Sequence, residues 1–188
     1  MKIYKIGYER GYQDLMLDDR GAGPALKYDL AGIRFEAKLI ENWTPPKVYS
    51  YYANYPVPDV WELKGTGAFA VPPNVASTLG LFLEMGCQVL PLPYKGKEYS
   101  LCNVMCCIEC VDEARSGWLL HPKTKERAKL QRPAFYPDCV DESTLFKIPQ
   151  LPLEIFCWEK AYDPDSEFRA CVIENKLKGL RFDFVWEG

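Results

Sequence analysis

The chain has 188 residues and 21.6 kDa, and at 48% hydrophobic and 14% aromatic it can bury a sizeable core, which excludes disorder as the main state. With 23 Lys and Arg against 26 Asp and Glu, the net charge is -3 and the pI near 5.4, so no global attraction to nucleic acid or an anionic membrane is expected. No stretch reaches the roughly 20 apolar residues of a membrane span, and the opening MKIYKIGYERGYQD turns charged before a signal-peptide core could form, so a soluble cytoplasmic protein is expected.

Lys2 to Tyr8 reads as a first strand, and a polar Gly-rich turn follows from Asp18 to Pro24. Ile33, Phe35, Ala37 and Leu39 alternate with Arg34, Glu36 and Lys38, the period of a half-buried strand that stops near Asn42. Trp43 to Trp61 holds Trp43, Tyr49, Tyr51, Tyr52, Tyr55 and Trp61 among four prolines, which blocks a long helix and favours extended or looped backbone. After Pro72 and Pro73 the period changes: Val75, Leu79, Phe82 and Leu83 share one helical face, Pro73 suits the first turn, and Gly86 suits the left-handed position after the last.

Two hydrophobic strands are expected next, Cys87 to Leu92 and Tyr99 to Ile108, joined by a turn at Lys95-Gly96-Lys97; the second is apolar on both faces and belongs inside a sheet. Residues 117 to 143, polar and broken by Pro122, Pro133 and Pro137, read as irregular. Leu153 to Trp158 reads as a strand, and a helix capped by Asp165 or Ser166 runs to about Leu177 and ends at Gly179. Leu180, Phe182, Phe184 and Trp186 then alternate with Arg181, Asp183 and Val185 as a closing strand. This order predicts one α+β domain over residues 1 to 188, with a mainly antiparallel, twisted sheet and a few packed helices. Its core should join Val75, Leu79, Phe82 and Leu83 to Leu101, Val104, Phe182 and Phe184.

The residues that carry chemistry give little. Cys87, Cys102, Cys106, Cys107, Cys110, Cys139, Cys157 and Cys171 read as reduced thiols, most of them small buried groups. Cys102-x3-Cys106-Cys107-x2-Cys110 invites a metal site, but on a strand Cys106 and Cys107 point to opposite faces, and Cys102 lies roughly 13 Å from Cys106 at about 3.3 Å per residue. His121, the single histidine, precedes Pro122 in a polar stretch and reads as an exposed loop residue, although a cysteine partner that meets it only in space stays open. Gly65-Thr66-Gly67 lacks the third glycine of a dinucleotide loop. The acidic pairs Asp112-Glu113 and Asp163 with Asp165 read as solvated caps. No catalytic, metal-ligating or cofactor-binding residue is assigned.

Two segments have the composition of contact surfaces. His121 to Arg132 carries Lys123, Lys125, Arg127, Lys129 and Arg132 against Glu126 alone; without interleaved aromatics it suits an acidic protein partner better than nucleic acid, or simply a solvated loop. In the aromatic segment, Tyr51, Tyr52, Tyr55 and Trp61 provide large rigid contact area for an interface, or rings that pin a long loop to the core.

The order of features from residue 59 to 187 resembles a bacterial immunity-protein family, the eleventh numbered immunity domain of the polymorphic-toxin classification. The resemblance rests on the helix Pro72 to Gly86, on Tyr99-Ser-Leu-Cys-Asn-Val leading to Cys110-Val-Asp112-Glu-Ala-Arg-Ser116, and on Leu145-Phe146-Lys-Ile-Pro149. Glu154-Ile155-Phe156 and the closing Leu177-Lys-Gly179-Leu-Arg-Phe182 complete it. It implies a cytoplasmic protein, encoded beside a secreted toxin, that binds the toxin's catalytic domain and has no catalytic role or cofactor of its own. The toxin would then act on a cytosolic target. Homo-oligomerisation stays open, and the rival is a small cytosolic enzyme using a cysteine or carboxylate, which a deep pocket with a perturbed titratable group would favour.

Overall fold

A computed structural model describes residues 1–18, 40–41, 43–140 and 144–188; the strand expected over residues 33–39 and most of the turn expected from Asp18 to Pro24 lie outside the described residues. In chain order the elements are β1 (Lys2–Tyr8), β2 (Met16–Leu17), β3 (Val48–Tyr49), β4 (Trp61–Leu63), β5 (Ala68–Val71), α1 (Pro73–Thr78), α2 (Gly80–Gly86), β6 (Cys87–Tyr94) and β7 (Lys97–Val104). They continue as β8 (Gly117–Leu120), β9 (Arg127–Arg132), a 3-10 turn (Pro137–Cys139), β10 (Leu145–Ile148), β11 (Leu151–Glu159), α3 (Phe168–Glu174) and β12 (Leu180–Glu187). Both four-stranded sheets are antiparallel, with orders β10-β11-β1-β12 and β4-β5-β7-β6, and β2-β3 and β8-β9 form two-stranded ribbons. The fold is α+β, as the element order predicts.

Strand alternation sorts the apolar residues into three cores. Tyr4 and Ile6 of β1, Phe69 and Val71 of β5, Cys102 and Val104 of β7, and Ile155 and Cys157 of β11 meet in one core shared by the two sheets, with Val75, Leu79, Phe82, Leu83 and Phe168 from the helices. The opposite face of the second sheet buries Trp61, Leu63, Ala68, Ala70, Leu90, Leu92 and Leu101 beneath Leu15, Leu17 and Val48. Ile3, Phe146, Phe156 and Trp158, on the other face of the first sheet, pack against Cys110, Leu130, Phe135 and Trp118. Burial on both faces explains why these strands lack clean alternation. Each fully buried large side chain contributes about 1.5–3 kcal/mol.

Several expectations are corrected. Leu101 lies an odd number of residues from Val104, so it faces the Trp61 core rather than the helices. Phe184, on the outermost strand β12, meets the Tyr4 ring edge-on and remains 58% exposed. A bulge opposite Ile3 and Tyr4 then inserts Val185, so Trp186 turns to the other face and both pack in the third core. The single helix expected from Pro73 to Gly86 is two: Gly80 weakens the ladder, and the Ser77 and Thr78 hydroxyls donate back to the Pro73 and Asn74 carbonyls at 3.0 and 3.1 Å. Gly86 is the last helical residue and not in the left-handed region, and the chain goes straight into β6. Lys176, at φ +53, and not Gly179 ends α3, with Lys176 N–H donating to the Ile173 carbonyl and Leu177 N–H to that of Val172. Residues 117–132, expected to be irregular, form the β8-β9 hairpin because Trp118 and Leu130 pair and anchor it in the third core.

Candidate partner-binding surface

The aromatic segment becomes a structured turn because a buried side chain holds it. Gln13, in the link from β1 to β2, donates from Nε2 to the Tyr55 carbonyl at 2.7 Å and the Ala53 carbonyl at 3.2 Å, and its backbone N–H donates to Pro56 at 2.9 Å. On this clamp Tyr51 stands edge-on to Tyr52 at 5.0 Å, and Tyr52 stacks on Tyr55 at 4.9 Å with the planes 8° apart. All three rings are exposed, Tyr51 at 68%, and Val57 adds an exposed apolar group. Trp61 does not belong to this surface. It opens β4, is 2% exposed, and packs edge-on against Tyr94 and Tyr99 at 5.8 and 5.9 Å, so its role as a contact anchor is overturned by the Trp61-Glu62-Leu63 alternation that turns it inward.

The basic stretch forms the tip and second strand of the β8-β9 hairpin. His121 N–H donates to the Glu126 carbonyl, and His121 Nδ1 accepts from the Thr124 N–H at 3.2 Å; the imidazole is an exposed part of the loop. Lys123 and Lys125 project from the tip, Lys125 at φ +61. Arg127 is already engaged, donating to Glu113 at 2.6 Å and lying over the Trp118 ring at 5.2 Å. Among the described residues no hydrogen bond or ring contact joins this hairpin to the tyrosine turn, so the two predicted contact segments are not brought together.

The structure adds a cleft that no sequence motif marks. A cavity of about 370 Å³ lies behind Tyr52 and Tyr55, lined also by Tyr8, Glu9, Arg10, Tyr12, Asp14, Glu62, Lys64 and Gly179. Asp14 is 5% exposed; Lys64 Nζ reaches its Oδ2 at 3.0 Å and Glu62 Oε2 at 3.7 Å, while the buried Asp14 Oδ1 has no hydrogen-bond partner among the described residues. The Asp14 hydrogen bond raises the pKa of Lys64, and burial raises that of Glu62. Burial also pushes the Tyr8 phenol above its ordinary range, and its hydroxyl donates to the Ala68 carbonyl at 3.4 Å.

The thiols are separated by the cores. Cys102 belongs to the core shared by the sheets, whereas Cys106 and Cys110 belong to the one under the hairpin. Among the described residues no group of three or more His, Cys, Asp or Glu side chains is placed to hold a metal ion. Burial raises the thiol pKa of Cys87 and Cys110 to about 12, and also raises those of Cys102, Cys107, Cys157 and Cys171. The Asp112-to-Ser116 motif is likewise a scaffold: Asp112 Oδ1 accepts from the N–H groups of Ala114 and Arg115, and the Ser116 hydroxyl accepts from the Ala134 N–H at 2.9 Å.

Against known families, residues 92–186 match the model described as Immunity protein family (Imm11), over just over half of the chain. The chain belongs to this immunity protein family. No curated protein matches it. The matched part of the chain runs from the end of β6 into β12 and so includes the basic hairpin, the Asp112 turn and the closing strand. Residues 59–91, with β4, β5, α1 and α2, lie outside it, as do the tyrosine turn and the β1-β2 side of the cleft.

Proposed function

We propose that the protein acts in the bacterial cytoplasm as the non-catalytic antidote to a secreted toxin, neutralising the toxin's catalytic domain by binding it. Membership of the immunity family is the observation that carries this reading. The tyrosine turn supports it physically: Tyr51, Tyr52 and Tyr55 are rigid, exposed and held by Gln13, so little side-chain freedom is lost when a partner covers them. Lys123 and Lys125 at the hairpin tip supply long-range attraction for an acidic toxin face. The rise of the buried thiols' pKa keeps them protonated at neutral pH and poor as nucleophiles.

Co-expression with the toxin domain encoded beside it is the test. Protection is expected, and replacing Tyr51, Tyr52 and Tyr55 together by Ser should weaken toxin binding by roughly a hundredfold or more, the scale of a lost aromatic hot spot. Full killing in the presence of well-folded wild-type protein overturns the reading. A small enzyme is the second reading, favoured by one observation: Glu62, its pKa raised by burial, faces a cleft beside Tyr8. It predicts that Glu62→Gln abolishes protection while leaving toxin binding intact, the opposite of what a binder does.

A further inference from the structure

Of the strands that end the two four-stranded sheets, β10, β4 and β6 are closed to further pairing and β12 is not. Lys147 of β10 donates its N–H to the Cys106 carbonyl at 2.8 Å and accepts from the Ile108 N–H at 2.9 Å. Along β4, Leu15 N–H donates to the Glu62 carbonyl at 2.8 Å, and the Leu15 carbonyl accepts from Lys64 N–H at 2.9 Å. β6 carries Pro91 and Pro93, which remove donors from its outer side. β12 has neither proline nor lysine, and among the described residues no backbone group bonds to its outer side. The ladder with β1 shows which of its groups point outward. Glu9 N–H donates to the Gly179 carbonyl, and bonded positions alternate in an antiparallel pair, so Arg181 and Asp183 bond inward, opposite Gly7 and Lys5. The N–H and carbonyl groups of Leu180, Phe182 and Phe184 therefore face away from the sheet. The bulge at Val185 ends this regular run.

We propose that β12 pairs antiparallel with β12 of a second copy of this chain, on a two-fold axis through Phe182. In that register Phe182 bonds to its counterpart and Leu180 to Phe184 of the second copy, about six main-chain hydrogen bonds in all. Arg181 then lies opposite Asp183 of the second copy in a non-bonded pair, where side chains approach most closely. The charges are already in place: Arg181 and Asp183 are both partly exposed, and Arg181 Nε and Nη2 donate to the two Asp183 oxygens at 2.8 Å. Two such pairs meeting across the axis alternate in sign. The neighbouring registers are excluded by residues on the strand itself. An axis through Arg181 or Asp183 sets like charges directly opposite each other. One through Leu180 requires Lys178, whose N–H is engaged by Asp59 Oδ2 and whose carbonyl is engaged by Asp59 and Val60. One through Phe184 runs into the bulge. On the other face the exposed Phe184 ring comes to lie opposite Leu180 of the second copy, which covers apolar surface that the single chain leaves in water. The pairing stands independently of the toxin-binding reading.

Sedimentation equilibrium of the full chain under reducing conditions tests the pairing. A reversible monomer-dimer equilibrium is expected, with a dissociation constant on the order of tens of micromolar for so small a contact. Arg181→Glu and Asp183→Lys should each weaken self-association by roughly tenfold or more, because each sets like charges opposite one another. Mixed in equal amounts, the two variants should regain wild-type association, since each supplies the charge that the other lacks. Amide hydrogen exchange of the wild type, read by NMR, needs no variant and decides the matter if either fails to fold. The N–H groups of Leu180, Phe182 and Phe184 should exchange several-fold more slowly at about 1 mM than at about 0.02 mM, while those of Arg181 and Asp183, bonded to β1, stay protected at both. A chain that remains monomeric at about 1 mM, far above the expected constant, overturns the proposal. So do single variants that associate as tightly as wild type, a mixture that gains nothing over them, or equal exchange of the three amides at both concentrations. Protection of those amides that appears only when the toxin domain is added would overturn the second copy as occupant and give this edge to the toxin.

Discussion

Replacing Gly179 by alanine presses on the point where three segments meet. Gly179 sits at φ +105, and an added Cβ would lie 2.4 Å from the Val60 carbonyl oxygen and 2.7 Å from Pro58 Cβ. Neither neighbour is the free end of a flexible side chain, so backbone must move. Five hydrogen bonds hold that backbone: Glu9 N–H to the Gly179 carbonyl, Gly179 N–H to Glu9 Oε2, Asp59 N–H and Val60 N–H to the Lys178 carbonyl, and Lys178 N–H to Asp59 Oδ2, all between 2.8 and 3.1 Å. The strained backbone costs about 1–2 kcal/mol, and disruption of two or three of these bonds adds about 1 kcal/mol each, a total of about 3–5 kcal/mol. Gly96 is the control, because it has φ +71 with open space around its Cβ position, so Gly96→Ala should cost only the first part, about 1–2 kcal/mol. Urea unfolding followed by tryptophan fluorescence reads both, and the Gly179 variant should unfold on the order of 1 M urea earlier than the Gly96 variant at unchanged slope. Equal midpoints for the two would refute the close-approach argument and leave only backbone conformation.

Phe82 meets Phe168 edge-on at 5.8 Å in the shared core, so Phe82→Ala should destabilise by about 3–5 kcal/mol in thermal or urea unfolding, while Phe184→Ala should stay within about 1 kcal/mol. Under reducing conditions stability should fall as pH rises above 9: Cys87 has a folded pKa of about 12 against an ordinary 9.0, so the unfolded thiol ionises first and its contribution, complete below pH 9, declines by about 2 kcal/mol by about pH 10.5. Cys87→Ala should flatten that decline. Lys147, buried and lowered to about 8 from 10.5, acts in the opposite sense, since its unfolded form holds the extra proton between those values; stability should therefore rise between about pH 8 and 9, and Lys147→Met should abolish the rise. Lys123→Glu with Lys125→Glu should slow toxin association and remove much of its salt dependence with unfolding midpoints unchanged; an unaltered association rate would place the contact elsewhere.

What was legible in the sequence is what a local pattern dictates. β1 coincides with the expected Lys2 to Tyr8, and the helical face Val75, Leu79, Phe82 and Leu83 is buried as its spacing requires. The β8-β9 hairpin was hidden because only Leu130 of β9 is buried; its anchorage comes from distant residues such as Phe156 and Trp186 that no local period reveals. The side of Leu101 depended on which face of β7 meets which layer, a tertiary matter in a strand apolar on both sides. Aromatic composition marked Tyr51, Tyr52, Tyr55 and Trp61 alike; the structure exposes the first three, while the strand alternation of Trp61 with Leu63 puts it in the core. The cleft left no trace, since Asp14, Glu62 and Lys64 are ordinary charged residues brought together by the bridge between Leu15 and Leu63 and by the hydrogen bonds around it.

The order of strands in the first sheet governs how the protein can be made. β1 is an inner strand made before the other strands of its sheet, yet both of its neighbours, β11 and β12, follow only after the whole of the second sheet. β1 therefore has no hydrogen-bonded neighbouring strand until some 150 further residues have followed, and the sheet closes only through contacts of very large sequence separation. The second sheet has no such constraint: β4 to β7 lie within 44 consecutive residues and can assemble while synthesis continues. Folding is then expected in two stages, an early β4-to-β7 unit with its helices and a late closure around β1, and during the interval the first strand is the segment most exposed to misassociation.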